Sequence, residues 1–94
     1  MEMAKVIVIK DNQVIEAFNK MTLLGSIKEA FESTGRSYSK ELLDMLTNET
    51  INKLNLIGTE LYTEDIYHAT TDALDENGYD EEALTYKEQH QKDR

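Results

Sequence analysis

The sequence predicts an α+β domain, in which a small β-hairpin or three-stranded sheet packs against about four helices. Two β-branched runs near the N-terminus have the composition of short strands. After them, four segments carry apolar residues at the spacing of three and four that a half-buried helix requires. A chain of 94 residues has the ordinary length of one hydrophobic core, so we expect residues 1–94 to form a single domain.

Residues 4–18 are predicted to form the hairpin. The runs AKVIVIK and QVIEAF flank residues 10–13, which include the Asp and Asn that tight turns favour. Because a two-stranded hairpin is marginal alone, one of its faces must pack against another element. A further short extended segment is expected at 60–62, before the third helix.

The first two helices are predicted over about 20–33 and 40–56. Their apolar positions are Leu23, Leu24, Ile27, Ala30 and Phe31 in the first helix and Leu42, Leu43 and Leu46 in the second. Gly35 is expected to end the first helix, since glycine readily adopts the left-handed conformation found after helix ends. The polar stretch 48–50 interrupts the second pattern, so the second helix could break near residue 48.

The third helix is expected to begin with Thr63 as its cap and to end at Gly78. Its buried stripe is predicted to consist of Ile66, Ala69, Ala73 and Leu74. Asp80 is expected to cap the fourth helix, whose apolar positions are Ala83, Leu84 and Tyr86. The polar tail at 87–94 is expected to fray.

The charge balance limits the classes of partner. The net charge is −9 and the sequence pI is near 4.6, which argues against a nucleic-acid binder or a protein that binds anionic membranes. Residues 1–40 carry six basic and five acidic side chains, whereas residues 41–94 carry four basic and fourteen acidic ones. The longest apolar run has four residues, so we expect no membrane span, no secretory signal and a cytoplasmic location.

No residue set in the sequence predicts an enzyme. The chain has no Cys and two His residues, and His68 beside Thr70 and Thr71 lacks the glycine elbow that would present a nucleophilic hydroxyl. Asp72, Asp75 and Glu76 share a helix face at metal-ligand spacing, but no EF-hand loop accompanies them. We therefore interpret these carboxylates as a solvated face and expect no metal site.

A dense acidic patch is predicted in the C-terminal half. Its members are Asp72, Asp75, Glu76, Asp80, Glu81 and Glu82. Such a surface either keeps the protein soluble or docks on a basic partner, and in a complex it contributes association rate and selectivity more than affinity.

The order of these segments resembles an ATP-cone domain, the small allosteric nucleotide-binding module at the N-terminus of ribonucleotide reductases and in a bacterial repressor of reductase genes. The family's hairpin has the form V-x-K-R-D-G-x-x-E-x-F, and Val8, Lys10, Glu16 and Phe18 stand at those spacings. Later positions match the family's T-x-x-I, A-L-x-x-x-G-Y and A-x-x-Y pieces. These are Thr63, Ile66, Ala73, Leu74, Gly78, Tyr79, Ala83 and Tyr86. The resemblance covers about residues 5 to 90.

The departures from the family pattern fall on the ligand side. The family's R-D-G is replaced by residues 11–13, so that an acid stands where the family has a cation. Thr22 replaces a Lys, with Lys20 close enough to substitute for it, and Tyr67 replaces a His. His90 replaces an Arg near the end of the last helix. Each charge-assisted hydrogen bond is worth about 1.5–3 kcal/mol, so two lost cations would weaken a triphosphate site.

The resemblance implies a set of nucleotide-binding residues. Lys10 and Lys20 would face the phosphates, and Glu16 the ribose or a second, cation-linked contact. Val8 and Leu23 would line the adenine pocket. Thr63 and Tyr67, at the start of the third helix, would meet the sugar and phosphates, where free backbone N–H groups favour an anion.

The function implied by the resemblance is regulatory. An ATP-cone domain binds ATP or dATP with Mg²⁺ and controls the activity and oligomerisation of a ribonucleotide reductase, through a reductase subunit or self-association. The alternative is a degenerate cone that binds no nucleotide and acts as an acidic protein–protein interaction module. Asp11 and Thr22 favour the alternative, whereas Lys10, Glu16 and Thr63 favour the nucleotide-binding domain.

Overall fold

The structure is a computed structural model, and it describes residues 7–9 and 15–90. It contains a small three-stranded sheet and four helices, which confirms the predicted α+β class. The elements are β1 (Ile7–Ile9), β2 (Ile15–Ala17), α1 (Lys20–Thr34), α2 (Lys40–Ile57), β3 (Glu60–Tyr62), α3 (Thr63–Glu76) and α4 (Asp80–His90). Within these described ranges no helix is long and apolar enough to cross a membrane.

The sheet has the strand order β2-β1-β3, with β1 in the centre. β1 pairs antiparallel with β2 and parallel with β3, so the extended segment predicted at 60–62 is the third strand. The register places Val8 opposite both Glu16 and Leu61. Since side chains alternate across a strand, these three residues share one face of the sheet.

The two faces of the sheet differ in burial. On the face of Val8 and Leu61, both of these side chains are buried against the helices. On the opposite face, Ile15 is 61% exposed and Tyr62 is 58% exposed. The four helices therefore lie on one side of the sheet.

α1 begins and ends as the sequence predicts. The Asn19 side chain accepts hydrogen bonds from the backbone N–H groups of Met21 and Thr22, which helix formation alone would leave unpaired. At the other end Gly35 adopts φ 77°, and its N–H reaches the Phe31 carbonyl. This left-handed residue allows the chain to leave the helix without the steric cost of a Cβ.

α2 runs unbroken through the polar stretch 48–50, so the break that the sequence allows near residue 48 does not occur. Thr47 and Thr50 are fully buried, and their hydroxyls donate to the carbonyls of Leu43 and Leu46 one turn earlier. These bonds satisfy the hydroxyls without a partner from another element. Threonine therefore continues the buried face, which an apolar pattern alone does not show.

The starts of α3 and α4 differ from prediction by one residue. Thr63 is the first residue of α3 and not its cap, because the Asp65 carboxylate instead accepts the Tyr62 N–H. In α4 the Tyr79 carbonyl accepts the Ala83 N–H, so the cap position belongs to Tyr79 and Asp80 is the first helical residue. α3 itself ends at Glu76, two residues before Gly78.

The main core lies between the helices. Its buried members are Leu23, Ile27, Ala30, Phe31, Leu43, Leu46, Leu74, Ala83 and Tyr86. A smaller cluster of Leu54, Leu61 and Ala69 joins β3 to α2 and α3. Phe18 and Ile66 pack against both clusters, and they connect the sheet to the helical core.

One member of the predicted acidic patch lies inside the protein. Glu82 is fully buried, and its Oε2 accepts hydrogen bonds from the Thr34 hydroxyl at 2.6 Å and the Arg36 Nε at 2.8 Å. The expectation that Glu82 belongs to a solvated face is therefore wrong. Burial acts to raise the pKa of this carboxyl, but the bonds from Thr34 and Arg36 outweigh burial and hold the pKa below its ordinary value.

Candidate functional site

A cleft of about 200 Å³ opens between the inner face of the sheet and helices α1, α3 and α4. Five of the seven residues proposed as nucleotide contacts line it. They are Val8, Glu16, Leu23, Thr63 and Tyr67. Four separate elements contribute these five residues, since Val8 belongs to β1, Glu16 to β2, Leu23 to α1, and Thr63 and Tyr67 to α3.

Of the two lysines proposed as phosphate contacts, only Lys20 lies within the described residues. Lys20 is exposed at the first position of α1 and does not line the cleft, although the preceding residue, Asn19, does. The phosphate contact that the resemblance implies for Lys20 therefore stays a prediction. Lys10 lies outside the described residues.

The strand register explains how the sheet contributes to the cleft. Val8 and Glu16 are direct cross-strand partners, so their side chains stand next to each other on the inner face. Val8 is buried, whereas Glu16 is exposed to the cleft and to solvent. The sheet thus presents an apolar surface with one carboxylate beside it.

The first two turns of α1 form a second wall. Asn19, Thr22, Leu23 and Ser26 line the cleft, and their spacing of three, four and seven residues places them on one helix face. Asn19 closes the end of the helix by accepting from two backbone N–H groups. This wall presents a buried leucine with polar groups on either side of it.

The start of α3 forms the third wall. Thr63 holds this end of α3 close to β1, because its hydroxyl lies 3.4 Å from the Ile9 carbonyl. Ile66 and Tyr67 follow in the first turn and line the cleft. The cleft therefore lies beside the N-terminal turns of both α1 and α3, where the helix dipoles favour negative charge.

An aromatic cluster closes the cleft on the side of α4. The rings of Tyr86 and His90 are stacked with their centres 4.2 Å apart, and the Tyr67 ring meets each of them at 6.2 and 5.2 Å. The last turn of α4 is therefore packed against α3 as far as His90. Offset and edge-to-face contacts of this kind also suit the flat ring of a ligand.

Few charged side chains line the cleft within the described residues. Among the described lining residues there is the carboxylate of Glu16 and no Lys or Arg. Ligand sites commonly have volumes of about 300–1,000 Å³, so a cleft of about 200 Å³ suits part of a ligand, such as a base with its sugar.

The cleft also has lining residues that the sequence did not indicate as ligand contacts. Ser26, Tyr86 and His90 all line the cleft. The α1 periodicity contains the signal for Ser26, which lies three residues after Leu23 on the same helix face. No local signal places Tyr86 there, because its position depends on how α4 packs against α1 and α3, whereas the resemblance had placed His90 on the ligand side.

A second groove lies between α3 and α4. It is lined by His68, Thr71, Asp72, Asp75, Asp80, Ala83, Leu84 and Lys87. Three members of the predicted acidic patch meet here, while Glu76 forms an ion pair of 2.9 Å with Lys53 of α2. In the part of the chain that the structure describes, no three His, Asp or Glu side chains converge as metal ligands.

Comparison of the sequence with models of protein families and with curated proteins found no match. The functional assignment therefore depends on the geometry of the cleft and on the chemistry of the residues that line it.

Proposed function

We propose that this domain binds an adenine nucleotide, ATP or dATP, in the cleft between the sheet and the helices. The observation that carries the proposal is the convergence of Val8, Glu16, Leu23, Thr63 and Tyr67 on one cleft. These residues were selected from the sequence by their resemblance to the ATP-cone pattern, and they are up to 59 positions apart in the chain. Their meeting at one place supports a shared role.

Each wall of the cleft has a part in the proposal. Val8 and Leu23 offer apolar surface to the faces of the base, and Tyr67 offers an aromatic ring. Glu16 accepts hydrogen bonds from ribose hydroxyls, for which a carboxylate is well suited. The phosphates, with Mg²⁺, extend out of the cleft toward the start of α1, where Lys20 is available.

The proposed role is regulatory. The resemblance points to control of ribonucleotide reductase activity and assembly, through a reductase subunit or self-association. A ligand in this cleft would contact the sheet and three helices together, so it would bias how the sheet packs on the helical core. For regulation to follow, ATP and dATP must favour different assembled states.

The first test is a thermal melt of the protein with Mg²⁺ and ATP, dATP or GTP. A ligand at a hundred times its dissociation constant adds about 2.7 kcal/mol of stability. For a domain near this size each kcal/mol raises the melting midpoint by about 4–8 °C. A rise with adenine nucleotides alone supports the proposal, and an unchanged midpoint with every nucleotide contradicts it.

A second test concerns the phosphates. Replacing Lys10 with Ala is expected to weaken ATP binding by about tenfold or more, since it removes a charge-assisted contact. The matched control is Lys28→Ala, which removes an equal charge from an exposed position of α1 that does not line the cleft. Equal affinities of the two variants would contradict the assignment of Lys10 to the phosphates.

The alternative function is an acidic interaction module that binds no nucleotide. Its supporting observation is the cleft itself, whose described lining has a carboxylate and no Lys or Arg. On this alternative the acidic groove between α3 and α4 would bind a basic partner, with an association rate that falls steeply with salt. Nucleotide-independent, salt-sensitive binding to a reductase subunit would favour it.

A further inference from the structure

The turn between α3 and α4 holds the single Asn–Gly pair of the sequence, Asn77 and Gly78. The backbone nitrogen that follows an asparagine can attack the side-chain amide carbon, and glycine leaves this nitrogen unshielded because it has no Cβ. Asn77 is the C-cap of α3, and Gly78 is exposed and adopts φ 87°. The local sequence therefore favours deamidation at Asn77 over the other asparagines, none of which precedes a glycine.

Two hydrogen bonds hold the side-chain amide of Asn77. Its Nδ2 donates to Glu49 Oε1 of α2 at 2.8 Å and to the Ala73 carbonyl of α3 at 2.8 Å. A carboxylate and a carbonyl have no proton to donate, so only the NH2 end of the amide fits between them. The group that deamidation would expel as ammonia is therefore bound to two helices.

The backbone of the turn also opposes the reaction. The Gly78 N–H donates to the Asp75 carbonyl at 3.0 Å, so its proton is already bound within the turn. Deamidation passes through a succinimide ring that contains the Gly78 nitrogen and the Cβ of Asn77, so this nitrogen must first rotate to the side of Cβ. At the Asn77 ψ of 8° it is instead eclipsed with the backbone nitrogen of Asn77. The reaction therefore requires a local opening of the turn.

We propose that Asn77 is a deamidation site that the folded turn keeps unreactive, and that the bond from Asn77 to Glu49 is part of this protection. In the opened turn the Gly78 nitrogen loses its proton and bonds to Cγ of Asn77, and the bond from Cγ to Nδ2 breaks. The NH2 group takes up a proton and leaves as ammonia. Water then opens the succinimide at either carbonyl, which leaves aspartate or isoaspartate at position 77.

The product would fit the turn less well than asparagine. A carboxylate at position 77 cannot donate to Glu49 or to the Ala73 carbonyl, and it would place two negative charges in contact. It would also lie at the C-terminal end of α3, where the helix dipole disfavours negative charge. Deamidation is therefore expected to loosen the junction of α2, α3 and α4 and to lower the stability of the fold.

The first test compares the intact protein folded in buffer and unfolded in urea, both at mildly alkaline pH. Peptide mass spectrometry measures the rate at which aspartate and isoaspartate form at each asparagine. Position 77 is expected to react fastest of all asparagines in urea, and about tenfold or more slowly in the folded protein, because only the opened turn reacts. Equal rates at position 77 in the two states would overturn the protection. A rate in urea no higher than at the other asparagines would overturn the site.

Glu49→Ala tests the part played by the bond to α2. In the folded protein it is expected to raise the rate at position 77 by about threefold or more, as the loss of one hydrogen bond would cause. Glu49→Gln keeps an acceptor and is expected to stay near the original rate. Glu41→Ala is the matched control, since it removes an equal charge from an exposed position of α2. The role of Glu49 is overturned by an unchanged rate in Glu49→Ala, by an equal rise in Glu41→Ala, or by a rise that only follows the change in the global unfolding constant.

Asn77→Asp reproduces one product of the reaction. It is expected to lower the melting midpoint by about 4–8 °C, because it removes the donor of both hydrogen bonds and places a charge beside Glu49. Asn55→Asp is the matched control, since it makes the same chemical change at an exposed position in the last turn of α2. An equal effect of the two substitutions would overturn the expected cost of deamidation at Asn77.

Discussion

The helical interior and the cleft are built from similar residues, but the interior is closed to solvent and the cleft is open to it. In the interior, Ile27, Phe31, Leu46 and Leu74 have no exposed surface, and the one carboxylate that enters, Glu82, is bonded to Thr34 and Arg36. The cleft also combines apolar, aromatic and hydroxyl groups with one carboxylate, that of Glu16. That carboxylate and the polar groups beside it remain open to solvent.

Residues of the closed interior contribute mainly to stability, whereas residues of the open cleft are accessible for binding. A carboxylate in a closed environment must be bonded within the protein, because leaving a charge buried and unpaired is costly. A side chain at an open cleft stays in contact with solvent and is accessible to a ligand. Substitutions in the two regions should therefore affect different measurements.

Phe31→Ala is expected to have the largest effect. Truncating a fully buried phenylalanine costs about 3–5 kcal/mol, because it removes apolar contacts and leaves a cavity. For a domain near this size the loss lowers the melting midpoint by about 4–8 °C per kcal/mol. The control is Leu84→Ala, in which the side chain is 58% exposed, and a comparable loss there would contradict the division into interior and surface.

Glu82→Gln is expected to lower stability by about 1–3 kcal/mol at pH 7, since neutral hydrogen bonds replace charge-assisted ones. The pKa of Glu82 lies below its ordinary value of 4.5, so the carboxylate stabilises the fold above that pH. This contribution is lost as the pH falls through the folded-state pKa. Urea unfolding from pH 7 to pH 3 should therefore show the difference between the two proteins shrinking toward low pH, and a constant difference would contradict a role for the charge.

Thr22→Lys is expected to act on binding and not on folding. Thr22 is exposed at the first turn of α1 and lines the cleft, so a lysine there adds a cation beside the proposed path of the phosphates. We expect ATP affinity to rise by about tenfold, as one new charge-assisted bond would produce, with a smaller gain for adenosine. The control Lys28→Arg keeps the charge on α1 unchanged, and equal gains for ATP and adenosine would contradict a phosphate contact.

Lys53→Ala is expected to have the smallest effect. Its ammonium pairs with Glu76 at 2.9 Å, a distance similar to that of the Arg36–Glu82 bond, but the Glu76 side chain is 60% exposed. Solvent and salt screen such a pair, so no measurable shift of the melting midpoint is expected. A loss equal to that of Glu82→Gln would show that burial does not separate the two pairs.

Most of the secondary structure could be predicted because its causes are local. The apolar spacing and the caps at Asn19 and Gly35 lie within a few residues of the helix that they define. Two predictions about helix boundaries failed because side-chain hydrogen bonds within the helix were not visible in the apolar pattern. Thr50 continues a buried face through a bond to its own helix, and Asp65 rather than Thr63 satisfies the start of α3.

The candidate site could be predicted in part. The family motif correctly selected five residues that line the cleft, which are Val8, Glu16, Leu23, Thr63 and Tyr67. The same motif also selected Lys20, which does not line the cleft. Motif matching did not select Ser26, Tyr86 and His90 as contacts. Ser26 and Tyr86 are 60 residues apart in the sequence, and they meet only because α4 packs against α1. A motif of neighbouring residues does not contain this information.

The fold class, the approximate extent of each helix and most of the apolar positions of the core follow from the sequence alone, because short-range periodicity and capping act within one element. The tertiary structure alone decided the parallel pairing of β1 with β3, the burial of Glu82 and the composition of the cleft wall. Each of these depends on elements that are distant in the chain. A carboxylate in an acidic run has the local pattern of a solvated residue, and only the approach of Thr34 and Arg36 makes its burial favourable.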